Sequence, residues 1–229
     1  MTNAAKILWA VSIVIVAAAA IGLEFVPAND TGFSHAEHTT NAGELTRDVL
    51  VGQTFTAERD DLSGVSVLFA TYSNRENTQP VRFHLRSAID SRDDIRTSEV
   101  HPSDLRDNQL HTFSFEPVPD SKGKQFFFFL VSPQSTPGNA VTVDLDTRDP
   151  YHLGSAYVVR GQGPAVTDPA ILARSGKPTT DVGFGLEYES TVRAVVVKNT
   201  VEWVRAFIGG WEGNRDLYLA FGRGFLGVS

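Results

Sequence analysis

The sequence has no cysteine and, in 229 residues, only one uncharged apolar run long enough to matter to a bilayer. Without cysteine there is no disulfide framework, no thiolate zinc site and no thiol nucleophile. Basic residues are in deficit: the formal net charge is −7, so no cationic surplus is available to displace counterions from a phosphate backbone, and nucleic acid is not expected as a partner. Phosphate-binding and nucleophile motifs are missing too. Gly183-Phe184-Gly185 is a bare G-x-G without a third glycine, and no P-loop or G-x-S-x-G elbow occurs. What remains is ordinary globular material, 41% hydrophobic and 21% charged, enough for one generous domain with appendages.

The apolar run lies at the start. Ile7 to Leu23, ILWAVSIVIVAAAAIGL, is uncharged, and extending it to Val26 gives twenty residues. At 1.5 Å per residue that is about 30 Å, one bilayer crossing. Lys6 is the only cationic side chain nearby until Arg47, so the positive-inside rule puts the N-terminus in the cytoplasm and the rest outside. Residues 1–26 therefore read as a transmembrane anchor in a single-pass protein, with the lipid bilayer as a partner. The competing reading is a cleaved signal peptide, because Ala18-Ala19-Ala20 suits a small-residue cleavage site. Residues 27–50, rich in Pro, Asn, Thr and Gly, read as a spacer.

From Gly52 the chain changes to a period of two. Val65, Val67 and Phe69 face one way, and Val81 to Arg86 alternates apolar with basic or His. Phe113 and Phe115 point inward against Thr112, Ser114 and Glu116, and Val141, Val143 and Leu145 alternate with Thr142, Asp144 and Asp146. Ser155–Arg160 and Val182–Glu189 add two candidates. Phe126 to Val131, FFFFLV, is continuous rather than alternating. It is bounded by Gly123 and Ser132-Pro133, as befits a strand buried on both faces. The pattern predicts an all-β fold, a two-sheet antiparallel sandwich over residues 51–190, jelly-roll-like first and immunoglobulin-like second. Residues 191–229 differ, carrying five basic and three acidic side chains. They read as a partly helical tail, Thr191 to Ile208, ended by Gly209-Gly210.

The runs QTFTA (Gln53–Ala57), LRDNQ (Leu105–Gln109), SP-x3-PGNAVT (Ser132–Thr142) and DPY (Asp149–Tyr151) resemble an uncharacterised sandwich module of bacterial envelope proteins, over roughly residues 50–190. That module often sits beside membrane glycosyltransferases of the lipid-linked-sugar type. The resemblance implies a jelly-roll or galactose-binding-like fold outside the cytoplasm, near glycan assembly, with a membrane glycosyltransferase or a glycan as partner. It implies no catalytic residues, and this chain lacks the further membrane spans that carry catalysis in those proteins.

For sugar binding, the loop Tyr72 to Asn77 offers a ring to stack on a pyranose, with Asn74, Arg75 and Asn77 to grip hydroxyls; Tyr151 and Tyr157 are alternatives. The plainer reading makes Tyr72 a strand-end packer and the asparagines turn formers. His35 and His38 are half a metal site in spacer, with no third ligand at useful spacing. Asp144 and Asp146 share a strand face and could hold Ca²⁺, but the loop has no EF-hand pattern, so a solvated strand end is expected. His84 and His111 fall at outward strand positions and read as surface residues. No cofactor and no enzyme activity are expected. In the tail, Trp203, Phe207 and Trp211 are the candidate contacts to a membrane or a membrane partner. The function read from the residues is a membrane-anchored, extracytoplasmic, non-catalytic accessory or carbohydrate-binding-like module. The alternative is a scaffold subunit that docks on a membrane partner and touches no sugar.

Overall fold

A computed structural model describes residues 12, 22, 26–72, 75–161, 169–172, 174, 176–177, 180–192 and 194–201. The chain divides into two compact units, residues 29–189 and residues 1–28 together with 190–229. The expected anchor, residues 1–26, lies outside the described residues apart from Ser12 and Gly22, both helical, and Val26. No helix among the described residues is long and apolar enough to cross a membrane.

The described strands are β1 (Pro27–Ser34), β2 (Thr40–Glu44), β3 (Val49–Thr56), β4 (Leu62–Ala70), β5 (Val81–Arg86), β6 (Asp94–Val100), β7 (Gln109–Val118), β8 (Gln125–Val131), β9 (Thr142–Asp146), β10 (Ala156–Arg160), β11 (Gly176–Lys177), β12 (Asp181–Val182) and β13 (Phe184–Thr191). They form two antiparallel sheets. The first runs β1-β13-β4-β9-β12, with β7 on β4 and β2 on β9; the second runs β11-β10-β3-β8-β5-β6. From β2 to β5, and again from β6 to β10, the chain changes sheet at each step. Each sheet therefore exists only once the other does.

The FFFF run is a central strand, as its composition predicts. β8 pairs with β3 on one side and β5 on the other. Phe126, Phe128 and Leu130 enter the main core between the sheets, while Phe127 and Phe129 point to the opposite face. In the core, Phe128 lies 5.9 Å from both Phe83 and Phe184, so rings tie the sheets together. On the outer face, Leu50, Val159 and Leu172 of the short helix α1 (Pro169–Leu172) cover Phe127 and Phe129. The imidazole of His84 lies flat on Phe129 at 4.6 Å, and the Arg86 guanidinium covers the same ring at 4.6 Å.

Several expectations are corrected. Residues 27–50 are no spacer: β1 and β2 occupy most of them, and Phe33 packs against the core rings Tyr151 and Phe184 at 4.6 and 4.9 Å. Turn-forming residues there are held extended by β13 and β9 rather than by their own preference. β6, whose sequence DIRTSEV gives a weak apolar signal, is an added edge strand. Arg96 on it covers the neighbouring edge by donating to the carbonyls of Glu116 and Pro117 at 2.8 and 3.0 Å. His84 is not a free surface group, since its ring is stacked and Nδ1 lies 2.8 Å from Asp94 Oδ2. His111 is half-buried edge-on to Phe113, and desolvation moves its pKa down.

Within unit 29–189, β4 links two opposite ends. Glu189 N donates to Asp61 O at 2.8 Å and Arg59 pairs with Asp30, so both limits of the unit lie where β4 starts. Nine residues on, at about 3.3 Å each, β4 delivers Thr71 and Tyr72 to the far end.

Candidate functional site

At that far end Tyr72 takes φ of +49°, the left-handed region that bulky side chains rarely adopt. Asp107 holds it there. Its Oδ1 accepts from Thr71 N at 2.6 Å and from Tyr72 N at 3.1 Å. These bonds, that from Tyr72 first, pull the Asp107 carboxyl below its ordinary pKa. A turn follows, with Arg75 N donating to Tyr72 O at 2.9 Å. It folds the Arg75 guanidinium over the Tyr72 ring, 4.1 Å from the centroid, a cation–π contact.

Arg75 is positioned from below as well. Its Nη1 donates to Thr142 Oγ1 at 3.3 Å and lies 3.4 Å from Glu44 Oε1. Glu44 in turn accepts from Gly138 N, at 3.1 Å to each carboxylate oxygen. Thr78 and Asn139 exchange side-chain hydrogen bonds, and Thr78 N donates to Asn139 Oδ1 at 2.8 Å. Three segments, the end of β2, the loop after β4 and the loop before β9, are thereby laced into one surface.

Of the residues singled out for sugar binding, Tyr72 and Arg75 are brought together. Asn77 is spent inside the loop: its Nδ2 donates to Thr71 O at 2.5 Å, and Oδ1 is buried with no hydrogen-bond partner. Asn74 lies outside the described residues, as do Trp203, Phe207 and Trp211. Tyr151 is core, its hydroxyl accepting from Thr56 N at 3.1 Å and donating to Thr56 O at 2.9 Å, and Tyr157 packs edge-on to Phe127. Among the described residues Tyr72, 36% exposed, is the one exposed Phe, Tyr or Trp. Asp107, Glu44 and Gly138 were not singled out from the sequence. Their only signal was membership of the LRDNQ and SP-x3-PGNAVT runs and, for Glu44, none.

Most of the other candidates are satisfied within the fold; Asp144 is the exception, its Oδ2 buried with no hydrogen-bond partner. Asp146 is not a solvated strand end but fully buried. Arg148 clasps it from Nε and Nη2, His35 Nε2 lies 2.8 Å from Oδ2, and Glu37 takes the outer side of Arg148 at 2.8 Å. The Arg148 bond above all holds the Asp146 carboxyl well below its usual range. The His-Ala-Glu-His segment is thus a clasp on β9. Asp144 is buried, and desolvation raises its pKa. No group of three or more His, Cys, Asp or Glu among the described residues is placed to hold a metal. A groove of about 330 Å³ on β5 and β6, lined by Arg82, His84 and Glu99 among others, has its main charges paired, Arg82 Nε to Glu99 Oε2 at 2.9 Å. Comparison with family models, with curated proteins and with solved structures finds no match to this chain.

Proposed function

We propose that the protein is a non-catalytic binding module, held at a membrane by residues 1–26, that takes a glycan at the loop end built around Tyr72 and Arg75. The observation that carries this reading is the lone exposed aromatic among the described residues, held in an unfavourable backbone conformation by a carboxylate and faced by a guanidinium. Strain of this kind persists only where surrounding structure enforces it, and such positions concentrate at ligand sites. A pyranose presents C–H groups to a π face and hydroxyls to its rim; the exposed Tyr72 supplies the ring, and the N–H groups of Arg75 that Thr142 and Glu44 do not take supply donors. The finer fold reading is jelly-roll-like, supported by antiparallel pairing and by a chain that changes sheet at most steps. An extracytoplasmic location is supported by Lys6 ahead of the apolar segment.

A glycan array probed with the full chain in detergent, alongside Tyr72→Ala and Arg75→Ala, tests the reading. Binding by the wild type that both substitutions abolish is expected. No binding, or binding indifferent to both changes, overturns it.

A further inference from the structure

Seven large apolar side chains are exposed among the described residues, and four of them, Val26, Val196, Val197 and Val201, belong to the unit of residues 1–28 and 190–229. That unit contributes few of the described residues, so exposed apolar side chains are over-represented among those it does contribute. Residues 192 and 194–201 are helical, and Thr191 caps the start by accepting from Ala194 N at 3.3 Å. Valine restricts its own side chain in a helix, so helix preference alone does not account for three valines here. Yet Val196, Val197 and Val201 are 52%, 54% and 42% exposed. Val197 and Val201, four apart, share a face.

Two further observations say what covers that face. Val192 N donates to Val26 O at 2.9 Å, so the helix begins beside the residue where the twenty-residue apolar segment ends. Residues 191–229 carry a net +2 while residues 1–190 carry −9, which selects this part of the chain for an anionic surface. Thr200 also returns its hydroxyl to Val196 O at 2.8 Å, so it enters an apolar medium already satisfied.

We infer that the helix from Val192 is a second membrane attachment, with Val196, Val197 and Val201 entering the headgroup–acyl boundary of an anionic bilayer beside Val26. The inference rests on the membrane tether in the proposed function, and its test separates the two. Because the chain has no cysteine, single-cysteine variants can carry a spin label at chosen positions. Val197→Cys, Val201→Cys, Ser12→Cys and, as a water-facing reference, Leu153→Cys are labelled in the full chain reconstituted into phosphatidylcholine–phosphatidylglycerol vesicles. Collision with oxygen is compared with collision with a water-soluble nickel chelate. The expected result is oxygen-dominated collision at 197, 201 and 12, and nickel-dominated collision at 153. If 12 is in lipid while 197 and 201 behave like 153, the second attachment is overturned and the tether stands. If 197 and 201 are shielded from both reagents, a protein partner covers the helix and the inference is likewise overturned. If 12 is in water while 197 and 201 are in lipid, the tether falls and the helix contact is upheld.

Discussion

Gln53 Nε2 donates to Asp181 Oδ1 at 2.6 Å across the gap between the two sheets, and Val182 N answers with a bond to Gln53 Oε1 at 3.0 Å. Both side chains are fully buried, and Asp181 Oδ2 also accepts from Tyr151 N at 3.0 Å. One amide thus bridges β3 and β12 from inside the core. Gln53→Leu removes a donor from a buried carboxyl, and a loss of about 1–3 kcal/mol is expected, more where Asp181 is ionised. Burial raises the folded-state pKa of Asp181, so its contribution is fully present below the ordinary 3.8 and declines as pH rises through the folded value. Urea denaturation of both forms at several pH values should show the deficit of Gln53→Leu widening from acid toward neutral pH. A deficit that stays constant counts against the assignment.

Asp146 has the opposite sign. Arg148 and His35 favour its charged form, so its contribution is complete above 3.8 and is lost as the pH falls further. Asp146→Asn should therefore be less stable than wild type near neutral pH, and the gap should close in acid. Thermal melts at stepped pH give the comparison; parallel curves down to the acid limit contradict the clasp.

The β8 rings make a third comparison. Phe128→Ala opens a cavity between the sheets and should cost about 3–5 kcal/mol. Phe127→Ala opens one on the outer face beneath Leu172, where a cover four residues long can settle inward, and a smaller loss is expected. Denaturation midpoints of the two variants rank them, and equal losses would show that the outer cluster is as rigid as the core.

Asp107 holds Tyr72 through the Thr71 and Tyr72 amides. Asp107→Ala should speed hydrogen exchange at the Thr71 and Tyr72 amides and weaken glycan binding about as much as Tyr72→Ala does. Unchanged exchange at both amides would mean the loop keeps its shape without the carboxylate.

The parts of the fold legible in sequence are those whose side chains declare their own surroundings. Phe126–Val131, short, continuous and bounded by Gly123 and Ser132-Pro133, fits a doubly buried strand, and Phe113 with Phe115 against Thr112 and Ser114 marks β7 as a one-sided one. β1 was illegible because PANDTGFS spells turns, and only a finished β13 edge makes it extended. The site divides in the same way. The Tyr72–Asn77 loop announces itself by composition, whereas the hold of Asp107 on Tyr72 spans 35 residues and exists only once β7 lies against β4. Two of the four runs singled out in the sequence, QTFTA and DPY, meet where Tyr151 bonds Thr56; the other two meet around Tyr72.

The position of Tyr72 at the far end of β4 decides how unit 29–189 bears load. Traction applied between Tyr72 and the start of the unit at Asn29 runs along the strands, so the ladders of β4 with β7 and β13 are sheared and many hydrogen bonds must yield together. Traction that separates Val26 from Val192 acts differently. His35 N to Phe184 O closes the other end of the β1–β13 pair, so force applied at 26 and 192 opens that pair like a zip, one bond at a time. The same sandwich is therefore stiff to a pull on Tyr72 and compliant to a pull between Val26 and Val192. In a force spectrometer the first geometry should give the higher rupture force.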